Sequence, residues 1–94
     1  MTTTLTLDHH SFRADRIDLP NVAVLTIQGT RGILACGYLS LPTAEKFGHA
    51  MAIVAGVSSF DDMLAATVKA VSPAAAALGV APGMAGREAL ALFA

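Results

Sequence analysis

Ala23-Val24-Leu25-Thr26-Ile27-Gln28-Gly29-Thr30-Arg31-Gly32-Ile33-Leu34-Ala35-Cys36-Gly37-Tyr38-Leu39-Ser40-Leu41 reads as two apolar runs on either side of a short loop bounded by glycines. The first run extends from Ile17 to Gln28. Within it Ala23, Leu25 and Ile27 share one face and Val22, Val24, Thr26 and Gln28 the other, the period of two expected of a strand. Pro20 and Asn21 interrupt this run, and because proline cannot donate to a ladder they mark the start of the strand or a bulge in it. The four residues Gly29 to Gly32 are too few for a crossover, so the two runs are expected to pair as an antiparallel hairpin. The second run, Ile33 to Leu41, is apolar on both sides, which suits a strand covered above and below.

Upstream, Thr2 to Leu7 alternates threonine with leucine and predicts a half-buried strand, followed by a turn at Asp8-His9-His10. Downstream, Leu41 to Gly48 carries Pro42 at an early helical position and Gly48 as a stop, predicting one or two helical turns. His49 to Val57 then reads as another two-sided strand. After Gly56 the period becomes helical, with Phe60, Met63, Leu64, Val68 and Val71 on one stripe and Ser58 or Ser59 as cap, Asp61 or Asp62 following three residues later. Ser72-Pro73 opens a second helix that Gly79 closes. A third should follow Pro82-Gly83, with Met84, Ala89, Leu90, Leu92 and Phe93 on its apolar face. The expectation is a single α/β (α+β) domain over residues 1–94, a mostly antiparallel central sheet with a C-terminal helical cluster.

With 54% apolar and 14% charged residues, the chain is oilier than the ~45–50% and ~25% usual for globular domains. That composition predicts self-association, as a dimer or a trimer. The net charge of −1, with six basic residues scattered rather than clustered, argues against nucleic acid as a partner. The longest uncharged apolar run, Ala50 to Val57, is far short of the ~18 residues of a spanning helix, so no membrane segment is expected. A lone cysteine forms no internal disulfide and the N-terminus lacks the pattern of a secretory signal, which together predict a cytoplasmic protein.

Three stretches, Gly32 to Tyr38, Gly56-Val57-Ser58-Ser59-Phe60-Asp61-Asp62-Met63-Leu64, and Gly79-Val80-Ala81-Pro82-Gly83-Met84-Ala85-Gly86-Arg87-Glu88-Ala89-Leu90, resemble the YunC-like family of small uncharacterised proteins. The resemblance covers nearly the whole chain after Asp18. It implies a compact α/β domain of unknown function, with the Cys36-Gly37 pair in a central strand, and it implies no reaction. Arg31 is a departure, since the family usually carries lysine before the glycine; a role needing only charge survives that change and a lysine-specific chemistry does not.

Cys36 is the one side chain here whose chemistry exceeds packing and hydrogen bonding. As a nucleophile or redox thiol it needs a cationic neighbour or a helix N-terminus; as a small buried hydrophobe it needs nothing. On the functional reading Tyr38 supplies an acid, base or orienting hydroxyl and Arg31 an anion anchor, with Gly37 admitting a ligand; on the structural reading Gly37 is a close-packing position. His49 is the nearest histidine in sequence, yet whether its strand runs parallel or antiparallel to that of Cys36, it lies at least ~10 Å away. The Ser58-Ser59 junction is the best anion candidate, through helix-start N–H groups and two hydroxyls, although ordinary capping uses the same atoms. Asp61 and Asp62 read as acids favoured by the helix dipole rather than as a catalytic pair. His9-His10 lacks the further ligands a zinc site wants, so no metal is expected, and no motif assigns a cofactor. Two function classes follow: a thiol-dependent enzyme or carrier using Cys36, or a non-catalytic homo-oligomeric module binding a small anionic metabolite near Ser58 and Ser59. A purely structural interaction protein is the third.

Overall fold

The computed structural model describes residues 2–37 and 48–94. Among them six strands form one sheet in the order β1-β2-β3-β4-β5-β6: β1 (Thr2–Leu7), β2 (His10–Leu19), β3 (Val22–Gln28), β4 (Ile33–Cys36), β5 (Met51–Val54) and β6 (Ala70–Val71). Three helices accompany them, α1 (Phe60–Ala65), α2 (Pro73–Ala77) and α3 (Gly86–Phe93). Every neighbouring strand pair is antiparallel except β4 and β5, which run parallel. The fold is therefore the expected α+β class, with a mostly antiparallel sheet and helices toward the C-terminus.

The β3–β4 hairpin forms as its sequence predicts, with Gln28 opposite Ile33 and the Gly29 N–H donating to the Gly32 carbonyl at 2.9 Å. Residues 10–19, however, form a strand that the apolar pattern does not announce. Phe12 and Ala14 are buried, but Arg13 falls between them and Asp15, Arg16 and Asp18 follow, so the alternation carries little hydrophobic signal. Of the two expected alternatives, Pro20 and Asn21 mark the entry to a strand, β3, and not a bulge. They are the two residues of a tight turn between β2 and β3, closed by the Leu19–Val22 pair, with Asn21 at φ 62. Proline presets the first turn position and asparagine tolerates the left-handed second, so the missing proline N–H costs no ladder bond.

The strand expected over His49 to Val57 is confined to Met51–Val54, all four residues buried. The helix begun at Phe60 ends at Ala65 rather than continuing through Val71. Lys69 donates to the Ile53 carbonyl at 2.8 Å and Ser72 to that of Met51 at 2.9 Å. Pairing with β5 thus overrides a helical period that Val68 and Val71 otherwise fit. The expected turns over Leu41 to Gly48 fall, apart from Gly48, outside the described residues, as does Tyr38.

One face of the sheet carries the main core. Phe12 and Ala14, Leu25 and Ile27, Leu34 and Cys36, and Ala52 and Val54 pack there against Met63, Leu64, Ala89, Leu90 and Phe93. A smaller cluster of Ala35, Met51 and Ile53, with Ile33 and Ala70, lies on the opposite face. Both helix starts read from sequence are as expected: the Asp62 N–H donates to the Ser59 hydroxyl at 3.1 Å, and the Ala75 N–H to that of Ser72 at 3.3 Å. The α3 helix closes on α1 through Gly86, where a Cβ would run into the Met63 carbonyl.

Candidate functional site

The residues singled out in the sequence are divided between the two ends of the parallel pair. At the C-terminal end lie Cys36, Gly37 and the junction leading from β5 to α1. Cys36 is 5% exposed and stands in register with Val54. The antiparallel ladder of β3 and β4 stops one pair earlier, at Thr26–Ala35, and the Leu25 N–H donates to Cys36 Sγ at 3.4 Å. The sulfur therefore occupies a place in the ladder that a carbonyl would otherwise take. Gly37 is exposed, and among the described residues a Cβ there would meet only the Ala55 methyl at 3.7 Å, an ordinary contact.

Ser58 and Ser59 are committed to the start of α1. Both the N–H and the hydroxyl of Ser58 donate to Asp62 Oδ2, at 3.0 and 2.9 Å, while Ser59 caps the helix. These donors, the Ser58 N–H foremost and its hydroxyl next, hold the Asp62 carboxyl below its ordinary pKa. The junction thus already holds an anion, supplied by its own chain. Arg16, which the sequence reading passed over, reaches the same end: its guanidinium pairs with Asp18 at 2.8 Å and lies 3.5 Å from the Ser58 carbonyl. Its only signal in sequence is that Arg16-Ile17 breaks the alternation of β2.

Arg31 is at the other end. It sits in the β3–β4 loop, where its N–H donates to the Phe93 carbonyl at 2.8 Å. That bond anchors the loop on the last turn of α3, and Phe93, fully buried, packs against Gly32, where a Cβ would clash with its ring. Residues 28–33 and 48–50 enclose a cleft of about 360 Å³ beside this loop. Gln28, Thr30, Arg31 and His49 give it polar groups; of its glycines, Gly29 and Gly32 are packed against Phe93, and at Gly48 a Cβ would meet nothing within 4 Å among the described residues. No carboxylate side chain is among these lining residues. The sequence separates Arg31 from His49; the parallel register that sets Ile33 beside Met51 unites them.

The same register decides the cysteine–histidine question. Cys36 is beside Val54, five residues along β5 from His49, which at ~3.3 Å per residue is roughly 16 Å. Arg31 is likewise five residues before Cys36. The structure brings Arg31 together with His49, and Cys36 and Gly37 together with the Ser58 junction, but does not join the two groups. His9 lies in the β1–β2 turn at φ 69. Among the described residues no group of three or more His, Cys, Asp or Glu side chains is arranged to hold a metal ion. Nor is any helix there long and apolar enough to cross a membrane.

Compared with known proteins, the chain is 32% identical over 92 residues to the uncharacterized protein YunC of Bacillus subtilis, a match covering 94% of this chain and 91% of YunC. Its fold superposes on the crystal structure of a protein of unknown function, TA1206 of Thermoplasma acidophilum, with a TM-score of 0.95 and 31% identity, covering 100% of this chain and 92% of that one. Residues 35–93, from the core of β4 to the end of α3, match the family model described as a domain of unknown function, DUF1805. Taken with the alignment to YunC, that match carries the conclusion that the chain belongs to the YunC-like DUF1805 family.

Proposed function

We propose that this domain is a binding module for a small anionic metabolite, a carboxylate or a phosphate ester, held in the cleft between residues 28–33 and 48–50. The observation that carries the reading is the meeting of Arg31 and His49 in one concavity of about 360 Å³, where no carboxylate side chain is found among the described lining residues. That volume falls in the ~300–1,000 Å³ range of small-molecule sites. A guanidinium offers two parallel N–H groups to a carboxylate or phosphate, and the Gln28 amide and Thr30 hydroxyl add neutral donors. Ser58 and Ser59 are a poorer anchor because Asp62 already takes the Ser58 donors and the Ser59 hydroxyl is engaged as the helix cap. A cytoplasmic setting belongs to this reading, supported by the single free cysteine.

The test is thermal unfolding with inorganic phosphate, succinate, citrate and a sugar phosphate as probes. A ligand at a hundredfold excess over its Kd stabilises by about 2.7 kcal/mol. Arg31→Gln should abolish the shift, and Arg31→Lys should keep part of it, since lysine retains charge but loses the planar fork. No shift with any probe, or a shift untouched by Arg31→Gln, would refute the reading.

A second reading, a thiol-dependent enzyme or carrier, is favoured by the Leu25 N–H on Cys36 Sγ and by the position of the sulfur at the C-terminal end of parallel strands, where open sheets often bind ligands. Tyr38 would serve as its acid or base. Native-state titration with a thiol reagent decides it: modification only after denaturation returns Cys36 to the core.

A further inference from the structure

The two edges of the sheet are built differently. The β6 edge is two residues long, preceded by Lys69 and followed by Ser72-Pro73, so charge, shortness and proline guard it as natural edges usually are guarded. The β1 edge has six residues, Thr-Thr-Thr-Leu-Thr-Leu, with no charge, proline or bulge. Four of its threonines are exposed and both leucines are half-buried. Asp8 and His9, at φ 50 and 69, form a two-residue turn that makes Leu7–His10 the closing pair. A closing pair exchanges both backbone hydrogen bonds, and the pattern then alternates along an antiparallel ladder. Leu7, Leu5 and Thr3 therefore point their N–H and C=O groups at β2, while those of Thr2, Thr4 and Thr6 point outward from the sheet.

We propose that this edge pairs with the β1 edge of a second copy of the chain, antiparallel about a two-fold axis at Thr4. That register sets Thr4 against Thr4, and Thr2 and Thr6 each against the other of the second copy, so all three outward-facing residues gain partners at once. It is the self-complementary form a two-fold interface requires. On one face it stacks threonine on threonine, a favourable cross-strand pair, and on the other it brings half-buried Leu5 of each copy against Thr3 of the other. No charged residue of β1 opposes another.

The edge is tested by solution mass and by register-specific cross-linking. Wild-type protein should sediment at twice the chain mass of 9.6 kDa at high micromolar concentration. Thr4→Pro removes an N–H that the chain itself does not use, so it should halve the mass while leaving the circular dichroism of the folded chain in place, with a Tm that no longer rises with protein concentration. Thr4→Cys should cross-link two copies on mild oxidation, because facing residues stand at ~5.5 Å between Cα atoms, within disulfide reach. Thr6→Cys should not, since the register holds its two copies roughly 14 Å apart. Wild type that stays monomeric, a dimer that survives in folded Thr4→Pro, or Thr6→Cys cross-linking as readily as Thr4→Cys would each overturn the proposal. The cysteine pair decides the register even if Thr4→Pro does not fold.

Discussion

Removing one hydroxyl, by Ser72→Ala, should destabilise this domain by about 2–4 kcal/mol, several times what the same change costs at the other capping serine. Ser72 is the one polar residue among those described that is buried to 0% exposure, and its hydroxyl makes three hydrogen bonds. It accepts from the Ala75 N–H at 3.3 Å and the Met51 N–H at 2.9 Å, and it donates to the His49 carbonyl at 2.8 Å. Loss of the cap costs about 1 kcal/mol. The Met51 N–H is then left inside the protein with no acceptor, which costs about 1–3 kcal/mol more. The His49 carbonyl belongs to an exposed residue and can take water instead, so it adds little. Ser59→Ala removes a cap bond that is exposed to water and should cost only about 0.5–1 kcal/mol. Equilibrium unfolding in urea with unchanged slope measures both, and for a domain of this size the Ser72 variant should lose on the order of 10–25 °C in Tm. Equal losses in the two variants, or a Ser72→Ala loss under about 1 kcal/mol, would refute the claim that this hydroxyl is the sole acceptor for the β5 amide. Because the same hydroxyl holds the His49 backbone, Ser72→Ala should also weaken any ligand response of the Arg31 cleft.

Three further outcomes follow from the geometry. Gly86→Ala should cost about 1–3 kcal/mol despite alanine's better helix propensity, since its Cβ meets the Met63 backbone, and a neutral result in chemical denaturation would contradict the packing of α1 on α3. Phe93→Ala should cost about 3–5 kcal/mol and release the Gly29–Gly32 loop, seen as faster amide exchange at Arg31; unchanged exchange there would show that the loop does not depend on α3. Asp62 is held below its ordinary pKa by the Ser58 donors, and Asp15 by the Thr2 hydroxyl. Both folded values lie under the unfolded value near ~3.9, so the stability they lend is complete above that pH and fades as pH falls through the folded values. Acid titration should therefore show a shallower loss below about pH 4 in Asp62→Asn than in wild type, and an identical slope would remove Asp62 from the account.

Where a feature depended on residues close in sequence, the chain could be read directly. The β3–β4 hairpin needed only two apolar runs and a four-residue gap. The Ser59 and Ser72 caps needed only a hydroxyl three residues before an N–H, and the stop at Gly79 only a residue at ease at φ 97. Strand β1, ending at the Asp8-His9 turn, was equally plain from its alternation. Strand β2 was hidden because its charged residues dilute the apolar face, although Phe12 and Ala14 are nearly or wholly buried.

What tertiary structure alone decided is which distant residues meet. Strand β6 exists because β5 offers carbonyls to Lys69 and Ser72, a pairing that overrules a helical period two valines otherwise continue. The parallel run of β4 beside β5 puts Arg31 with His49 at one end of the sheet and Cys36 with the Ser58 junction at the other. Family membership was legible from short motifs, since they mark turns, caps and close contacts that the fold cannot do without. The cleft was not, because its polar groups come from two segments whose meeting is fixed by strand register, and register is set by the whole sheet and its core rather than by any neighbour in the chain.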